Sequence, residues 1–165
     1  MEQITFERLV SSGCHFGHRT KRWNPKMSKY IFGKRNGIHI IDLQQTQEGL
    51  KRAYEATVHV AEEGKGILFI GTKKQAKDII REEATRSRVF YVTERWLGGL
   101  LTNYDVLSQR IARLREFEQM KEDGRWSMFS KKELSRIDRE YGKLNKYFEG
   151  IKEMDRLPGM AFIVD

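Results

Sequence analysis

The chain has 165 residues, 39% of them hydrophobic, and carries a net charge of +8 with a sequence pI near 9.6. That length suits one domain with at most an appendage, and apolar runs such as Ile67–Ile70 are far too short to cross a membrane. The single cysteine, Cys14, excludes an internal disulfide and fits a reducing, cytosol-like compartment, while the opening MEQITFERLV lacks the charged-then-apolar pattern of a signal peptide.

Thr5 is placed to cap a short helix over Phe6 to Ser12, which Gly13 ends. Residues 14–37 mix Gly, Asn, Pro and basic residues with aromatics and read as an ordered loop. Ile38 to Leu43 reads as a buried strand, followed by a helix from about Thr46 to Glu63 that Gly64 and Gly66 break. Ile67–Ile70 is the next strand, Lys74 to Ser87 a second helix opened by Gly71, and Val89–Val92 a third strand. The order strand, helix, strand, helix, strand implies parallel pairing with right-handed crossovers. The expected fold class is therefore α/β, a parallel-sheet, three-layer body of flavodoxin-like or Rossmann-like type.

The pattern then changes. Tyr104, Leu107, Ile111 and Leu114 recur at alternating steps of three and four, as do Leu134, Ile137, Tyr141, Leu144, Phe148 and Ile151. Those are heptad seams on two helices joined by a turn near Asp123-Gly124. A protruding antiparallel coiled-coil hairpin over 104–156, inserted in an α/β body of 1–103 and 157–165, accounts for the narrow seams and charged flanks; two amphipathic helices lying on the sheet are the alternative. Leu157-Pro158-Gly159 returns the chain to a strand over Met160 to Val164. The sequence stops on that strand, so a fragment, or a shortened protein needing a partner, is expected.

The charge is unevenly spread. No Asp or Glu occurs between Glu7 and Asp42, a stretch holding Arg8, Arg19, Lys21, Arg22, Lys26, Lys29, Lys34 and Arg35. Residues 105–156, by contrast, hold 13 basic and 11 acidic residues, a net of +2. Eight cations without an anion repel one another unless a polyanion arrives. Lys and Arg neutralise phosphates and release counterions, and Phe16, Trp23, Tyr30 and Phe32, interleaved with them, can stack on unpaired bases or anchor the loop on a core. Nucleic-acid contact is the reading that accounts for the missing anions.

Other motifs carry less. Cys14, His15 and His18 are zinc-ligand types, but their spacing fits no closed site and no second pair follows; no metal and no cofactor is expected. Gly71-Thr72-Lys73-Lys74 follows a strand, where backbone N–H groups can hold a phosphate of RNA or of a nucleotide. It lacks the full Walker pattern and the three-glycine dinucleotide pattern, so a nucleotide-using enzyme is the weaker alternative. Arg95-Trp96-Leu97-Gly98-Gly99 lies after the third strand, where α/β proteins bind ligands, and serves as a hinge, an RNA contact, or both. No nucleophile–base–acid set is visible, and the helical carboxylates Glu116, Glu118 and Glu140 sit beside Lys or Arg as on a solvated face. A second alternative is a protein-interaction module working through the hairpin alone.

Several blocks together resemble one family. His15-Phe16-Gly17-His18, Trp23-Asn24-Pro25-Lys26-Met27, Tyr30-Ile31-Phe32, Arg35-Asn36-Gly37 and His39-Ile40-Ile41-Asp42-Leu43 resemble the N-terminal signature of the small-subunit ribosomal protein S2 family. Gly71-Thr72-Lys73-Lys74-Gln75-Ala76, Arg95-Trp96-Leu97-Gly98-Gly99 with Leu101-Thr102-Asn103, Leu157-Pro158 and Phe162-Ile163-Val164-Asp165 are similar to its later blocks. The family usually continues past this point, and often has an acid where Gly159 stands and a small aliphatic residue where Cys14 stands. The resemblance implies a non-enzymatic constituent of a bacterial or organellar ribosome, hence cytoplasmic in a bacterium. It also implies binding to small-subunit rRNA near the head–body junction, contact with neighbouring ribosomal proteins, and help in seating the large RNA-binding ribosomal protein S1. The residues expected to hold RNA are Arg19, Lys21, Arg22, Trp23, Lys26, Lys29, Lys34 and Arg35, then Lys73, Lys74 and Arg95.

Overall fold

The computed structural model of the protein describes residues 4–164, so the leader reading at Met1–Gln3 and the last residue of the family blocks, Asp165, lie outside the described residues. The chain is mixed α/β and divides into two compact units, residues 1–59 and 60–165.

In the first unit, α1 (Phe6–Ser11) starts at Thr5, whose side chain accepts from the Arg8 N–H, and ends before Gly13 at φ +73°. Three strands follow: β1 (Phe16–Arg19), β2 (Ile31–Arg35) and β3 (Ile38–Ile41), in the order β1-β3-β2 and antiparallel throughout. Between β1 and β2 a 3-10 helix spans Pro25–Tyr30, with Asn24 as its cap. Residues 14–37 are thus largely sheet rather than the expected loop. The buried strand expected over 38–43 is a half-buried strand over Ile38–Ile41 only, with Leu43 already helical, three residues ahead of the expected helix start at Thr46, and it does not enter the parallel sheet. The reason is local: β2 and β3 are joined by Asn36 and Gly37 alone, at φ 49° and 74°. Such a two-residue turn with both φ positive matches strand twist only in an antiparallel hairpin. Asp42 then caps α2 (Leu43–Glu62), accepting from the Gln44 and Gln45 N–H groups. Its hydrogen bond with the Gln45 side chain holds the Asp42 carboxyl below its ordinary range.

The second unit holds a parallel sheet, order β5-β4-β6, of β4 (Ile67–Ile70), β5 (Phe90–Val92) and β6 (Met160–Ile163). These are the expected last three strands, and parallel pairing is enforced because each returns only after a helical crossover. The helix α3 (Lys77–Ser87) joins β4 to β5 and begins three residues later than the sequence pattern suggests, because Lys73 to Ala76 form a turn closed by Ala76 N–H to the Lys73 carbonyl. Gly71 is buried at the end of β4, and a Cβ there would lie 2.6 Å from Ile80 Cγ1.

Two long helices, α4 (Tyr104–Glu122) and α5 (Lys131–Phe148), separate β5 from β6. Gly124 at φ +78° and a 3-10 turn over Arg125–Met128 reverse the chain between them, and a reciprocal Ser130–Glu133 capping box starts α5. Their seams do two jobs. Ile111, Leu114, Phe148 and Ile151 share one core with Leu68, Ile70 and Val92 of the sheet. Further out, Phe117, Trp126 and Tyr141 meet edge-to-face at 6.2–6.4 Å between ring centroids.

Tyr104 ties the start of α4 to this core by donating to the carbonyl of buried Met154. Burial raises the pKa of Tyr104, and burial followed by the nearby Glu149 raises that of Tyr91. A raised folded-state pKa means the unfolded chain ionises first, so the stability these groups supply is complete below about pH 10 and drains away above it. Denaturant titrations at pH 8 and pH 11 should show this loss. Tyr104→Phe should lose about 1 kcal/mol at pH 8, where the Met154 carbonyl is left unbonded, yet fall less on going to pH 11. Equal alkaline losses in the two proteins would remove Tyr104 from the account.

Candidate nucleic-acid interface

The antiparallel sheet places most of the expected cations. Arg19 ends β1 and Arg35 ends β2, and both pair with Ile38 of the central strand. They therefore stand in one row across the sheet, about 10 Å apart at two strand spacings. A register shift between Phe16 and Arg19 lets both share the Ile38–Ile40 face despite an odd separation. Past β1 the chain turns tightly, with the Arg22 N–H donating to the Arg19 carbonyl and Thr20 to that of Gly37. Arg19, Lys21 and Arg22 consequently line a concavity of about 740 Å³ with Asn36 and Gly37.

Lys26 and Lys29 lie three apart on the 3-10 helix and so project from one side of it. That helix is fastened by the Gln45 side chain donating to the Lys29 carbonyl and by the Asp42 N–H to Tyr30. Lys29 also rests over the Tyr30 ring at 4.8 Å. Lys34 pairs with His39 on the opposite sheet face. Trp23 lies against the His39 ring at 4.8 Å, so part of its surface is an anchor and part is exposed. The His39 ring nitrogens are buried without a hydrogen-bond partner among the described residues, which makes this histidine a packing residue. His15 stacks on Phe16 at 4.0 Å, and among the described residues no three His, Cys, Asp or Glu side chains converge as metal ligands would.

Arg19, Lys21, Arg22, Lys26, Lys29, Lys34 and Arg35 are all exposed, and none forms an ion pair among the described residues. Elsewhere cations do find partners: Lys77 with Glu94 at 3.1 Å, Arg115 with Asp155 at 2.9 Å, Lys152 with Glu118 at 2.9 Å. Lys73, Lys74 and Arg95 belong to the second unit. They follow the neighbouring parallel strands β4 and β5 at the carboxyl edge of the sheet, the usual ligand side of such sheets. There Glu94, contacted by Lys77 and by Lys146 at 3.9 Å, puts an anion beside them. Gly71-Thr72-Lys73-Lys74 does not open a helix, so the phosphate cradle weighed from sequence lacks its helix end.

Two features of the first unit escape a charge-based reading. The Asn36–Gly37 turn forms one wall of the cationic concavity, and the dipeptide is itself a strong hairpin signal. Four large apolar side chains, Phe6, Val10, Phe16 and Phe32, are 49%, 40%, 61% and 81% exposed. Phe6, Val10 and Phe32 line a groove of about 490 Å³ with Ile40 and Leu43. The i,i+4 spacing of Phe6 and Val10 was the visible sign of that face.

Among the described residues no helix is long and apolar enough to cross a membrane. A family model described as ribosomal protein S2 matches residues 9–165. A curated small ribosomal subunit protein uS2 from Endomicrobium trichonymphae is 53% identical over 165 residues, covering 100% of this chain and 68% of that protein. A match spanning nearly the whole chain accounts for the order of the sequence blocks: the chain belongs to the ribosomal protein S2 family of structural, non-enzymatic proteins of the small ribosomal subunit.

Proposed function

We propose that the protein binds small-subunit rRNA chiefly through the first unit, supports assembly of the subunit among neighbouring ribosomal proteins, and helps to seat ribosomal protein S1. Its place is the ribosome, in the cytoplasm of a bacterium or in an organelle. The observation that carries the reading is the set of seven exposed cations, Arg19 to Arg35, without ion-pair partners among the described residues. Their side chains hold phosphates, and these contacts position the protein rather than read sequence. Trp23 and the backbone at Gly37 allow close approach of RNA, and Lys73, Lys74 and Arg95 supply a further contact. The groove between Phe6, Val10 and Phe32 fits S1 better than RNA, since an exposed apolar patch rimmed by polar residues is a protein-docking feature. In the same reading residues 1–103 and 157–165 form a three-layer, flavodoxin-like body, and 104–156 a coiled-coil arm offered to RNA or a neighbour.

The test is co-sedimentation of the full chain with small subunits lacking this protein, across a salt series. With about six phosphate contacts, affinity should fall roughly a thousandfold between 50 and 200 mM salt. Arg19→Ala, Lys21→Ala and Arg22→Ala together should weaken incorporation and flatten the salt slope by about three. An unchanged slope in that triple variant would sink the assignment of the concavity.

A further inference from the structure

Residues 105–156 carry 13 cations and 11 anions, nearly neutral when read as a string. Helical register separates the signs. On α5, Lys132, Arg136, Arg139 and Lys143 recur at steps of four, three and four, which forms one stripe along the helix. The stripe lies opposite the seam of Ile137, Tyr141, Leu144 and Phe148 that faces the core. The acids of α5 fall off it: Glu133 is held in the capping box by Ser130, Asp138 lies on the far flank, and Glu140 faces Arg113 at 3.7 Å. All four cations are exposed, none has an ion-pair partner among the described residues, and Arg139 only donates back to the Ser135 carbonyl. With Glu140 at the rim they line a shallow concavity of about 720 Å³.

We propose that this face of α5 is a second RNA contact, which grips the phosphate backbone of a double-stranded segment independently of the cations at 19–35. It rests on the RNA-binding reading above and deepens it, naming the face of the 104–156 arm and the kind of RNA that face takes. From Lys132 to Lys143 the stripe runs about 16 Å along the axis. It offers no aromatic face, whereas grooves for unpaired strands stack bases on aromatics. It offers no apolar anchor either, which a protein partner needs at the centre of its contact. Charge alone, on a rigid rod, fits a duplex read by its backbone and shape.

The experiment compares the full chain with K132Q/R136Q/R139Q/K143Q by fluorescence anisotropy. The probes are a generic RNA duplex of about 20 base pairs, longer than one double-stranded-RNA module spans, and one of its strands alone. Circular dichroism monitors α5. The quadruple variant should bind the duplex about tenfold or more weakly at 50 mM salt, with a salt slope lower by about three to four, and bind the single strand as before. The charge-keeping pair K132R/K143R should bind like the parent. A parent chain that binds neither probe overturns the RNA-binding reading and this one with it. A parent that binds, with a quadruple variant of unchanged affinity and slope, overturns the α5 assignment alone. Equal loss on both probes overturns the choice of duplex.

Discussion

Gly150→Ala is expected to lower the midpoint of thermal unfolding by roughly 10 °C, corresponding to about 3 kcal/mol in a chain of this size. Gly150 sits in the 3-10 turn Glu149–Ile151 that follows α5. A Cβ at this position would fall well inside contact distance of the Tyr91 carbonyl oxygen and 2.6 Å from its Cε2. The obstacle is the backbone of β5, which cannot swing aside as a side chain can. The next residue, Ile151, is fully buried, so moving the turn away withdraws it from the core shared with Leu68 and Val92. Alanine also restricts the unfolded chain, but that gain of about 0.4–1 kcal/mol is the smaller effect. Gly142 provides the contrast, since a Cβ there meets nothing within 4 Å in the middle of α5. Gly142→Ala should therefore stabilise by up to about 1 kcal/mol through helix propensity. Melting curves for the two variants followed by circular dichroism should shift in opposite directions. A Gly150→Ala protein melting within a degree or two of the parent would mean that the turn and β5 do not approach this closely.

Phe117→Ala should cost about 4 kcal/mol, in the range for emptying a large aromatic site. Phe117 is fully buried, and it is the residue that Trp126, Tyr141 and Arg113 all share. The Arg113 guanidinium lies over its ring at 4.2 Å while also reaching Glu116 and Glu140. Removing the ring thus empties a cavity and loosens the Arg113–Glu140 ion pair between α4 and α5. The loss should be local first. In native-state hydrogen exchange the amides of α4 and α5 beyond Leu114 should lose protection, while those of β4 keep it. Because the α5 cations depend on this packing for their alignment, duplex RNA binding should weaken alongside. A stability loss below about 1 kcal/mol would show that the neighbouring rings close over the gap.

Sequence and structure part company at a few places, each with a local cause. The apolar run Ile38–Ile41 announces a strand, but a short apolar run is the same in a parallel or an antiparallel sheet. The deciding signal was the Asn36–Gly37 pair before it, whose positive φ values make a hairpin. The segment before α3 carries good helix formers, Lys73 to Ala76, yet Gly71 packed against Ile80 holds the chain in a turn until Lys77. The candidate cations were legible because an acid-free stretch is visible in any string of letters. Their division between the two units was not, since it depends on which strands pair.

The sequence by itself determined the family, through blocks of residues in a fixed order, and the existence of the two long helices, through heptad seams, the second of which repeats without a miss from Leu134 to Ile151. It also determined that the stretch between Glu7 and Asp42 carries cations and no acid, because charge is a property of composition. Tertiary structure alone decided the antiparallel partner of Ile38–Ile41, the sharing of the helix seams between the sheet core and the Phe117 aromatic cluster, and the exposure of Phe16 and Phe32. It also decided that the near-neutral stretch 105–156 presents on α5 a basic stripe whose cations have no ion-pair partner among the described residues. Pairing, burial and facing depend on contacts between residues far apart in the chain, and a periodic pattern fixes only which side of an element is apolar, not what that side will meet.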